Sequence, residues 1–386
     1  MTALQGRIVS IDILRGLVIA LMALDHARDY FAPTPFDPVD LSQSSSGWFI
    51  TRWITHLCAP VFVFLAGTSA FLRGRKYSRK DMSVYLLTRG LMLVILELTW
   101  NSFVWQFGYS VMVMQVLWAL GWSMVVLAAL IWLPRWLIAA FALITIAGHN
   151  LLDPVEAVHL GDWSFAWMIA HEPGFRPGGI AQGIYVGYPL IPWLGVMAAG
   201  YLFGELLLEP GQVRERGYLV IGFSLMALFV LLRSGNFYGD PLPWSEQVRG
   251  GLFSFWSFIN TQKYPPSLLY LCMTLGPSML LLWMFEKWPV KPLHRLLPFG
   301  REPLFFYLLH VPVIHALSIG FHLLVSGGVV NFFSGPQTWP ETYQASLPVA
   351  YAAWLVVLVI MYFLCLWYAG FKKSRRRHRS PAPVKV

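Results

Sequence analysis

Hydrophobic runs of about 20 residues recur along the whole sequence, and they limit the chain to one kind of fold. A helix of that length crosses the ~30 Å hydrocarbon core of a bilayer. Charged residues make up only 12% of the chain and the mean hydropathy is +0.58, whereas soluble domains carry about 25% charged residues. The sequence therefore predicts an all-α, polytopic membrane helix bundle.

The runs predict about ten transmembrane helices. Their predicted limits are 8–30, 47–72, 83–107, 110–133, 136–152, 183–207, 217–235, 266–286, 298–324 and 346–371. The longer connections between them, rich in Pro, Gly, Trp and Asn, are 31–46, 153–182, 236–265 and 325–345. An even number of spans places both termini on the same side of the membrane.

Lys and Arg concentrate in alternate connections, which is the positive-inside pattern. The clusters are Arg73, Arg75, Lys76, Arg79 and Lys80; Arg214 and Arg216; Lys287, Lys291 and Arg295; and the tail from Lys372 to Arg379. The pattern predicts cytoplasmic termini, a membrane domain over 1–371 and a basic cytoplasmic tail over 372–386. It also explains the net charge of +9 through contact with the lipid bilayer, so no nucleic-acid partner is expected.

The first predicted span carries a stripe of ionisable side chains: Asp12, Arg15, His26 and Asp29. Each such group costs about 2.5–3.5 kcal/mol to insert, so each requires a reason. Arg15 and His26 are eleven residues apart, which places them within about 20° of one helix face and roughly 16 Å apart along the axis. The stripe is either a structural polar network or a reaction site with His26 as general base.

The second predicted span adds Arg52 and His56, one turn apart in its outer half, followed by Pro60 as a possible kink. Because His26 has a similar depth, we expect His26, His56 and Arg52 to share one internal cavity. Such polar residues also serve simply to hold helices together. The third predicted span contributes Arg89, Glu97 and Asn101.

A basic rim is expected where the ninth predicted span begins, in the segment FGREPLFFYLLHVPVIH. Arg301 and Glu302 lie there, near Lys291 and Arg295. Arginine forks of this kind bind phosphates, although a plain positive-inside rim has the same composition. Further along the span are Tyr307, His310 and His315.

Two predicted outer segments, RSGNFYGDPLPW (233–244) and NTQKYPPS (260–267), have the chemistry of a mouth for a carbohydrate or another polar ligand. Trp244 and Tyr264 would equally suit anchoring at the membrane interface. The candidate substrate-binding residues are Asn236, Asp240, Trp244, Asn260, Lys263 and Tyr264.

The sequence contains no Walker A loop, HExxH or GxSxG motif. Its three cysteines, Cys58, Cys272 and Cys365, are far apart and fit neither a metal cluster nor a disulfide framework. No spacing favours a metal site built from the histidines, so no metal is expected.

Three segments resemble the heparan-α-glucosaminide N-acetyltransferase catalytic-domain family of membrane proteins. They are RIVSIDILRGLVIALMALDHARDYF, APVFVFLAGTSAF and GREPLFFYLLH. The segment NTQKYPPSLLYLCMTLGP is similar to compact bacterial members, which implies a bacterial cytoplasmic (inner) membrane. Arg15 and His26 also match an Arg-x10-His pattern of the wider transmembrane acyltransferase superfamily.

The resemblance implies transfer of an acyl group from cytoplasmic acetyl-CoA to a sugar or similar polar acceptor. By position, His26 is the catalytic residue, and Arg15, which lies below it toward the cytoplasm, would hold the donor. Because CoA is cytoplasmic and carries several negative charges, we expect Arg301 and Arg89 to line the same donor tunnel. One departure matters: the connection 31–46 contains no His, whereas the lysosomal enzymes place one there. The acid–base role then falls to His26, with His56 as a candidate helper.

The remaining catalytic roles are expectations from chemistry. Asp29, or Asp25, would orient the imidazole of His26, and Arg52 would stabilise an oxyanion. Direct transfer and an acyl-histidine intermediate are both open, as is assembly into a homo-oligomer. The alternative function is a transporter or flippase for a polar metabolite or lipid-linked sugar, and a purely structural subunit would leave the polar stripe unexplained.

Overall fold

A computed structural model describes residues 8–179, 181–288, 291–330, 332 and 335–379. It confirms the all-α membrane bundle predicted from the sequence. The chain divides into two compact units, residues 1–35 with 288–386 (the terminal unit) and residues 36–287 (the central unit). The predicted division at residue 371 remains a prediction.

The α-helices, in chain order, are α1 (Val9–Phe31), α2 (Ser46–Ile54), α3 (Cys58–Gly74), α4 (Arg79–Leu96), α5 (Ser102–Gln106), α6 (Val116–Leu130), α7 (Arg135–Ala147), α8 (Ser164–Ala170), α9 (Ile191–Phe203), α10 (Gly211–Ser234), α11 (Gly251–Ile259), α12 (Leu268–Lys287), α13 (Leu297–Arg301), α14 (Pro303–Val325) and α15 (Leu347–Arg379). Among the described residues, three strands, β1 (Val111–Met114), β2 (Gly174–Pro177) and β3 (Gly183–Val186), accompany the helices together with short 3₁₀ and π segments.

Seven helical segments of the described residues are long and apolar enough to cross a membrane. Three of the ten predicted spans are not among them. The helix α1 has 23 residues, which suffices in length, but its charged side chains lower its hydropathy. The helices α6 and α7 have 15 and 13 residues, or about 22 and 20 Å, which is less than the ~30 Å core.

The strands correct the predicted helical limits 110–133 and 183–207, because both runs begin in extended structure. The strand β1 pairs in parallel with β3, with Val111 opposite Gly183, and β2 pairs with β3 antiparallel. The Gln106 side chain closes the turn before β1 by bonding both the N–H and the C=O of Val111, at 3.0 and 2.7 Å. Short apolar strands next to apolar helices give one uninterrupted hydrophobic run, so hydropathy alone does not separate them.

Glycines allow the closest helix contacts in the central unit. A Cβ added to Gly67 would lie 2.0 Å from the Met197 carbonyl oxygen, and one added to Gly200 would lie 2.0 Å from that of Phe64. The Thr68 hydroxyl donates to the Gly200 carbonyl across the same contact, at 2.9 Å. Small residues and a hydroxyl bond are the usual means of joining helices in lipid, and here they join α3 to α9.

Glu97 connects α4 to α6. It is fully buried in a π segment (Glu97–Asn101), and its carboxylate accepts hydrogen bonds from the backbone N–H groups of Gln115 and Leu117 at 3.2 and 2.9 Å. The Asn101 side-chain amide donates to it at 2.7 Å. The carboxylate therefore caps the N-terminus of α6, where backbone N–H groups lack helical partners.

In the terminal unit, α1 packs on α13, α14 and α15. A Cβ on Gly300 would lie 1.9 Å from the Asp12 carbonyl oxygen, and one on Gly16 would lie 2.2 Å from that of Leu296. The turn into α13 thus touches the backbone of α1 directly. On α15, the Trp354 indole donates to the Ala20 carbonyl at 2.7 Å.

The helix α15 runs from Leu347 to Arg379. The predicted basic tail therefore begins as a continuation of this helix. The Lys372 ammonium pairs with the Glu302 carboxylate at 2.7 Å, which ties this part of the helix to the beginning of α14. Residues 380–386 of the predicted tail lie outside the described residues.

Candidate functional site

The first turns of α1 and the turn at α13 form a charged cluster. The Arg15 guanidinium donates to the Asp12 carboxylate and to the Gly300 carbonyl, both at 3.3 Å. The Nε atom of Arg301 lies 3.9 Å from the other Asp12 oxygen, and its side chain is 39% exposed, against 14% for Arg15. Of these two arginines, Arg301 is therefore the more accessible to an anion.

Further cations lie close in sequence to this cluster. Lys291 and Arg295 are exposed on a 3₁₀ segment (Lys291–Leu296) that leads into α13. That segment packs on α1. The residues of the predicted basic rim thus all lie in the terminal unit, on or next to the turn that packs against α1 at Gly16 and Gly300.

His26 and His310 form a hydrogen-bonded pair in the same unit. The Nδ1 atom of His26 lies 2.8 Å from Nε2 of His310, and the two rings stack with centroids 5.0 Å apart. His310 is completely buried and His26 half-buried. His310 was noted in the sequence without a role, and its pairing with His26 was not predicted.

The surroundings of His310 determine which nitrogens carry protons. Its Nδ1 faces the carbonyl oxygens of Phe306 and Tyr307 at 3.1 and 2.7 Å, and a carbonyl only accepts, so this nitrogen carries a hydrogen. In neutral His310 the Nε2 atom is then an acceptor, and His26 donates to it from Nδ1. The lone pair of a neutral His26 consequently lies on its Nε2 atom.

Arg28 is a buried charge that sequence reasoning left out of the stripe. Its guanidinium pairs with the carboxylates of Asp25, at 2.9 Å, and Asp29. Only 5% of the Arg28 side chain is exposed. The i, i+3 spacing to Asp25 could have identified the pair. A partner that the structure shows for Asp29 is this cation. The predicted role of Asp29 in orienting His26 remains a prediction.

Two further histidines of α14 contact the end of α1. The Nε2 atom of His322 lies 3.0 Å from the Tyr30 carbonyl, and the His315 ring lies 4.7 Å from the Tyr30 ring, centroid to centroid. Both histidines are buried. The helices α1 and α14 therefore share a polar seam that extends from His26 to the end of α1.

His56 and Arg52 belong to the central unit, on a helix that is interrupted between them. The helix α2 ends at Ile54, a 3₁₀ turn holds Thr55–Leu57, and α3 starts at Cys58. The break precedes Pro60, which lies in the first turn of α3 where proline is well tolerated. His56 is buried, and its backbone carbonyl accepts from the Tyr270 hydroxyl at 2.7 Å.

Arg52 lies near aromatic hydroxyls. Burial raises the pKa of Tyr185, Tyr264 raises it further, and the positive charge of Arg52 lowers it. Arg52, which is half-buried, and Tyr264, one of the predicted substrate residues, thus both lie near Tyr185. Since His26 lies in the other unit, the predicted cavity shared by His26, His56 and Arg52 remains a prediction.

Arg89, the third predicted donor ligand, is exposed on α4. Leu87 and Leu91 on either side are each 42% exposed. The guanidinium contacts the Met92 sulfur at 3.6 Å and lies 5.8 Å from the Tyr85 ring centroid. Its role in donor binding remains a prediction.

Asp240 organises the outer segment that was predicted to bind substrate. Its carboxylate accepts from the Ser267 hydroxyl at 2.6 Å and from the backbone N–H of Gln262 and Leu242 at 2.9 and 3.0 Å. Burial raises the pKa of this carboxyl, while these hydrogen bonds and the Arg233 charge lower it. The side chain is 1% exposed, so Asp240 holds the segment together.

Arg233 completes this arrangement at the end of α10. Its guanidinium lies 3.6 Å from Asp240. It donates to four backbone carbonyls, those of Leu242, Ser257, Phe258 and Asn260, over 2.6–3.0 Å. The connection from α10 to α12 is therefore anchored on one buried cation that sequence reasoning did not select.

The other predicted substrate residues lie in the same connection. Asn236 exchanges two hydrogen bonds with the backbone of Trp244, each 3.0 Å, and the Asn260 amide donates to the Val39 carbonyl at 3.1 Å. The Lys263 ammonium lies 5.1 Å from the Tyr264 ring centroid. The six residues thus all lie in the connection between α10 and α12. Their role in substrate binding remains a prediction.

Comparison with known protein families identifies a family whose model matches the first part of the chain. The family model described as "Heparan-alpha-glucosaminide N-acetyltransferase, catalytic" matches residues 7–232, more than half of the chain. The matched range contains Arg15, His26, Arg52, His56 and Arg89, whereas His310, Arg301 and the outer segment lie beyond it. None of the curated proteins that were compared matches the chain.

Proposed function

Because the chain belongs to the heparan-alpha-glucosaminide N-acetyltransferase catalytic-domain family, we propose that it is an acyl-CoA-dependent membrane acyltransferase. It transfers an acetyl or similar acyl group from cytoplasmic acyl-CoA to a sugar or similar polar acceptor at the outer side of a bacterial cytoplasmic membrane. The chemistry at its centre is attack of an acceptor hydroxyl or amine on a thioester.

One observation carries the proposal: the hydrogen-bond chain from the backbone through His310 to His26. Its distances are 2.7 Å from the Tyr307 carbonyl to His310 and 2.8 Å from His310 to His26. The chain places the lone pair of a neutral His26 on Nε2, which is what a general base needs. A half-buried imidazole can meet a substrate and still be held in one orientation.

The proposed reaction needs no cofactor other than the acyl-CoA donor. His26 Nε2 takes the proton of the acceptor O–H or N–H while that oxygen or nitrogen forms a bond to the thioester carbonyl carbon. The C–S bond then breaks, and the imidazolium returns the proton to the CoA sulfur. In the alternative route, the same lone pair attacks the thioester carbonyl carbon, the C–S bond breaks and the CoA thiolate leaves. The acceptor then attacks the resulting acyl-histidine, which restores the imidazole, and the acceptor proton passes to the thiolate.

The charged cluster at the start of α1 supports a donor site. Arg301 is accessible and close to Asp12, while Arg15 is largely occupied by Asp12 and the Gly300 carbonyl. Arg15 and His26 lie on one continuous helix, about 16 Å apart along its axis. A pantetheine arm has a comparable reach, so phosphates at the cluster would place the thioester near His26.

The acceptor side is proposed from the central unit. Arg52, Tyr185 and Tyr264 are electrostatic neighbours, and Lys263 lies over Tyr264. A cation beside aromatic rings and hydroxyls suits a sugar, whose ring faces stack on aromatics and whose hydroxyls need hydrogen-bond partners. The buried positions of Asp240 and Arg233 support a framework role for them rather than contact with the acceptor.

The test uses the full chain in proteoliposomes with acetyl-CoA on the cytoplasmic face. Glucosamine and glucose serve as amine and hydroxyl probes, and labelled acetyl product is measured together with acetyl-CoA binding. We expect saturable acetyl-CoA binding and transfer to at least one probe. In His26→Gln, transfer should fall at least about a hundredfold while acetyl-CoA binding persists. Acid-quenched protein analysed by mass spectrometry detects an acyl-histidine if that route operates.

A transporter or flippase would give the opposite pattern. It would bind or move the sugar without binding acetyl-CoA. No acetylated product would form, in the wild type or in His26→Gln. Absence of acetyl-CoA binding by folded wild-type protein would overturn the proposed function.

A further inference from the structure

Three potential metal ligands meet in the central unit. They are His149 and Asp153, which follow α7, and His171, which follows α8. Their ligand atoms all lie within 4.8 Å of one another. The closest pair is His171 Nε2 and Asp153 Oδ1 at 3.1 Å, and the two imidazole rings are 5.5 Å apart, centroid to centroid.

The two histidines are deeply buried and have unused hydrogen-bonding capacity. His149 is 1% exposed and His171 is 3% exposed. Neither ring nitrogen of His149, nor Nδ1 of His171, makes a hydrogen bond among the described residues, although the Pro266 carbonyl lies near His149. A buried imidazole without partners is costly, and coordination of a cation would remove that cost.

Neighbouring side chains hold two of the three residues, Asp153 and His171, in place. The Asn150 amide donates to the second Asp153 oxygen at 2.8 Å, which leaves Oδ1 directed at His171. The Trp167 ring packs edge-on against His171, with centroids 5.3 Å apart. Such partners orient metal ligands in known sites and are nearly as important as the ligands themselves.

We propose that His149, Asp153 and His171 bind a divalent transition-metal ion, for which Zn²⁺ is the best chemical match. Zinc takes neutral imidazole and carboxylate ligands at about 2.0–2.2 Å in a tetrahedron, which sets ligand atoms roughly 3.3 Å apart. The 3.1 Å pair already has this spacing. Small side-chain rotations bring in His149, and a fourth position stays available for water.

The competing interpretation is a simple histidine–aspartate hydrogen bond packed against tryptophan. It accounts for His171 and Asp153. It does not account for His149, whose ring is buried beside a second imidazole. The metal site explains all three, and it replaces the sequence-based expectation that no metal is bound.

A bound ion would join the end of α7 to the end of α8 and thereby brace the connection that precedes β2. This role is independent of acyl transfer. A protein that binds the metal but transfers no acyl group would therefore contradict only the proposed function. A protein that transfers the acyl group but binds no metal would contradict only this proposal.

The experiment uses the full chain without a polyhistidine tag, purified in detergent and stripped with a chelator. Zinc is added, excess is removed, and bound metal is counted by mass spectrometry. We expect about one zinc per chain in the wild type and at least a roughly tenfold weaker affinity in His149→Gln and His171→Gln. The matched control is His159→Gln, because His159 lies in the same connection with a 76% exposed side chain.

Cobalt replacement in the wild type keeps the test valid if a variant fails to fold. Tetrahedral Co²⁺ with nitrogen and oxygen ligands has strong visible bands and no sulfur charge-transfer band, which excludes the cysteines as the ligands. Wild-type protein that binds neither ion, or variants that retain zinc as tightly as His159→Gln, would overturn the proposal.

Discussion

The Nδ1 atom of His26 lies 2.8 Å from Nε2 of His310, and the far side of the His310 ring faces backbone carbonyls. The carbonyls fix the proton on His310, and His310 in turn fixes the proton on His26. In the proposed reaction His26 is the catalytic residue and His310 is a positioning residue that acts through it.

Replacing His26 tests the catalytic role directly. We expect His26→Ala and His26→Gln to reduce acyl transfer by at least about a hundredfold, because general-base catalysis contributes roughly 10²–10⁴-fold. Acetyl-CoA binding should persist. Transfer is measured in proteoliposomes with folding checked by thermal stability and with exposed His159→Gln as the control. Near-normal transfer by both variants would assign His26 a structural role.

Replacing His310 tests its positioning role. His310→Leu removes the acceptor for the His26 Nδ1–H, and a buried unsatisfied donor costs about 1–3 kcal/mol, or roughly 5- to 150-fold in rate. His310→Gln offers a side-chain oxygen to the same N–H, so we expect partial recovery of kcat with an unchanged Kd for acetyl-CoA. Equal losses in Leu and Gln variants, each matched by loss of thermal stability, would indicate packing alone.

The exposed cation at the charged cluster should set donor affinity. We expect Arg301→Ala to raise the Kd for acetyl-CoA by roughly tenfold or more, because hydrogen bonds to charged groups contribute about 1.5–3 kcal/mol. The variant should also respond less to added salt, since exposed phosphate contacts are screened. Arg135→Ala is the control, as Arg135 is 74% exposed and pairs with Glu205. An unchanged Kd would refute the phosphate role.

The close contact at Gly300 should not accept a side chain. A Cβ there meets the Asp12 carbonyl oxygen at 1.9 Å, and overpacking costs about 1–3 kcal/mol. Gly300→Ala should therefore lower the melting temperature. Gly320→Ala on α14 has open space at its Cβ and should be neutral or slightly stabilising. A Gly300→Ala protein as stable as Gly320→Ala would contradict the described contact.

Replacing Asp240 shows whether this residue stabilises the connection or binds the acceptor. Its carboxylate lies 3.6 Å from Arg233, which is 1% exposed, and removing the compensating charge of a buried ion pair costs roughly 3–5 kcal/mol. We expect Asp240→Asn to reduce thermal stability strongly, with Lys263→Ala as a less buried comparison in the same connection. If Asp240→Asn instead keeps full stability and raises only the KM for the acceptor, it is a substrate ligand as first predicted.

Much of the helical architecture follows from hydropathy, because lipid requires long apolar helices. The described structure places helices in all ten predicted runs, although α6 and α7 are short. The strands β1 and β3 were missed because their residues are as apolar as the helices that follow. The Glu97–Asn101 pair was visible at i, i+4, but the cap that it gives to α6 depends on residues 18 and 20 positions away.

The site was predictable only in part, for a related reason. The position of His26 on a polar helix face follows from the sequence, but its partner His310 lies on another helix and no local spacing links them. Arg233 was overlooked because its partners are backbone carbonyls, which leave no pattern in the sequence. His149 and His171 have no metal-ligand spacing, and the turn and the 3₁₀ segments between them bring them together.

The division of the terminal unit between the two ends of the chain has a consequence for biosynthesis. The polar partner of His26 is made 284 residues later, which at about 5–20 residues per second is a delay of roughly 15–60 s on the ribosome. During that time Asp12 and Arg15 lack their contacts with Arg301 and Gly300, and His26 lacks its contact with His310. An ionisable group of this kind costs about 2.5–3.5 kcal/mol to insert in lipid. We therefore expect α1 to reach its final packing only after α13 and α14 are made, and a nascent chain that stops before them to keep α1 at the membrane surface or in the insertion machinery.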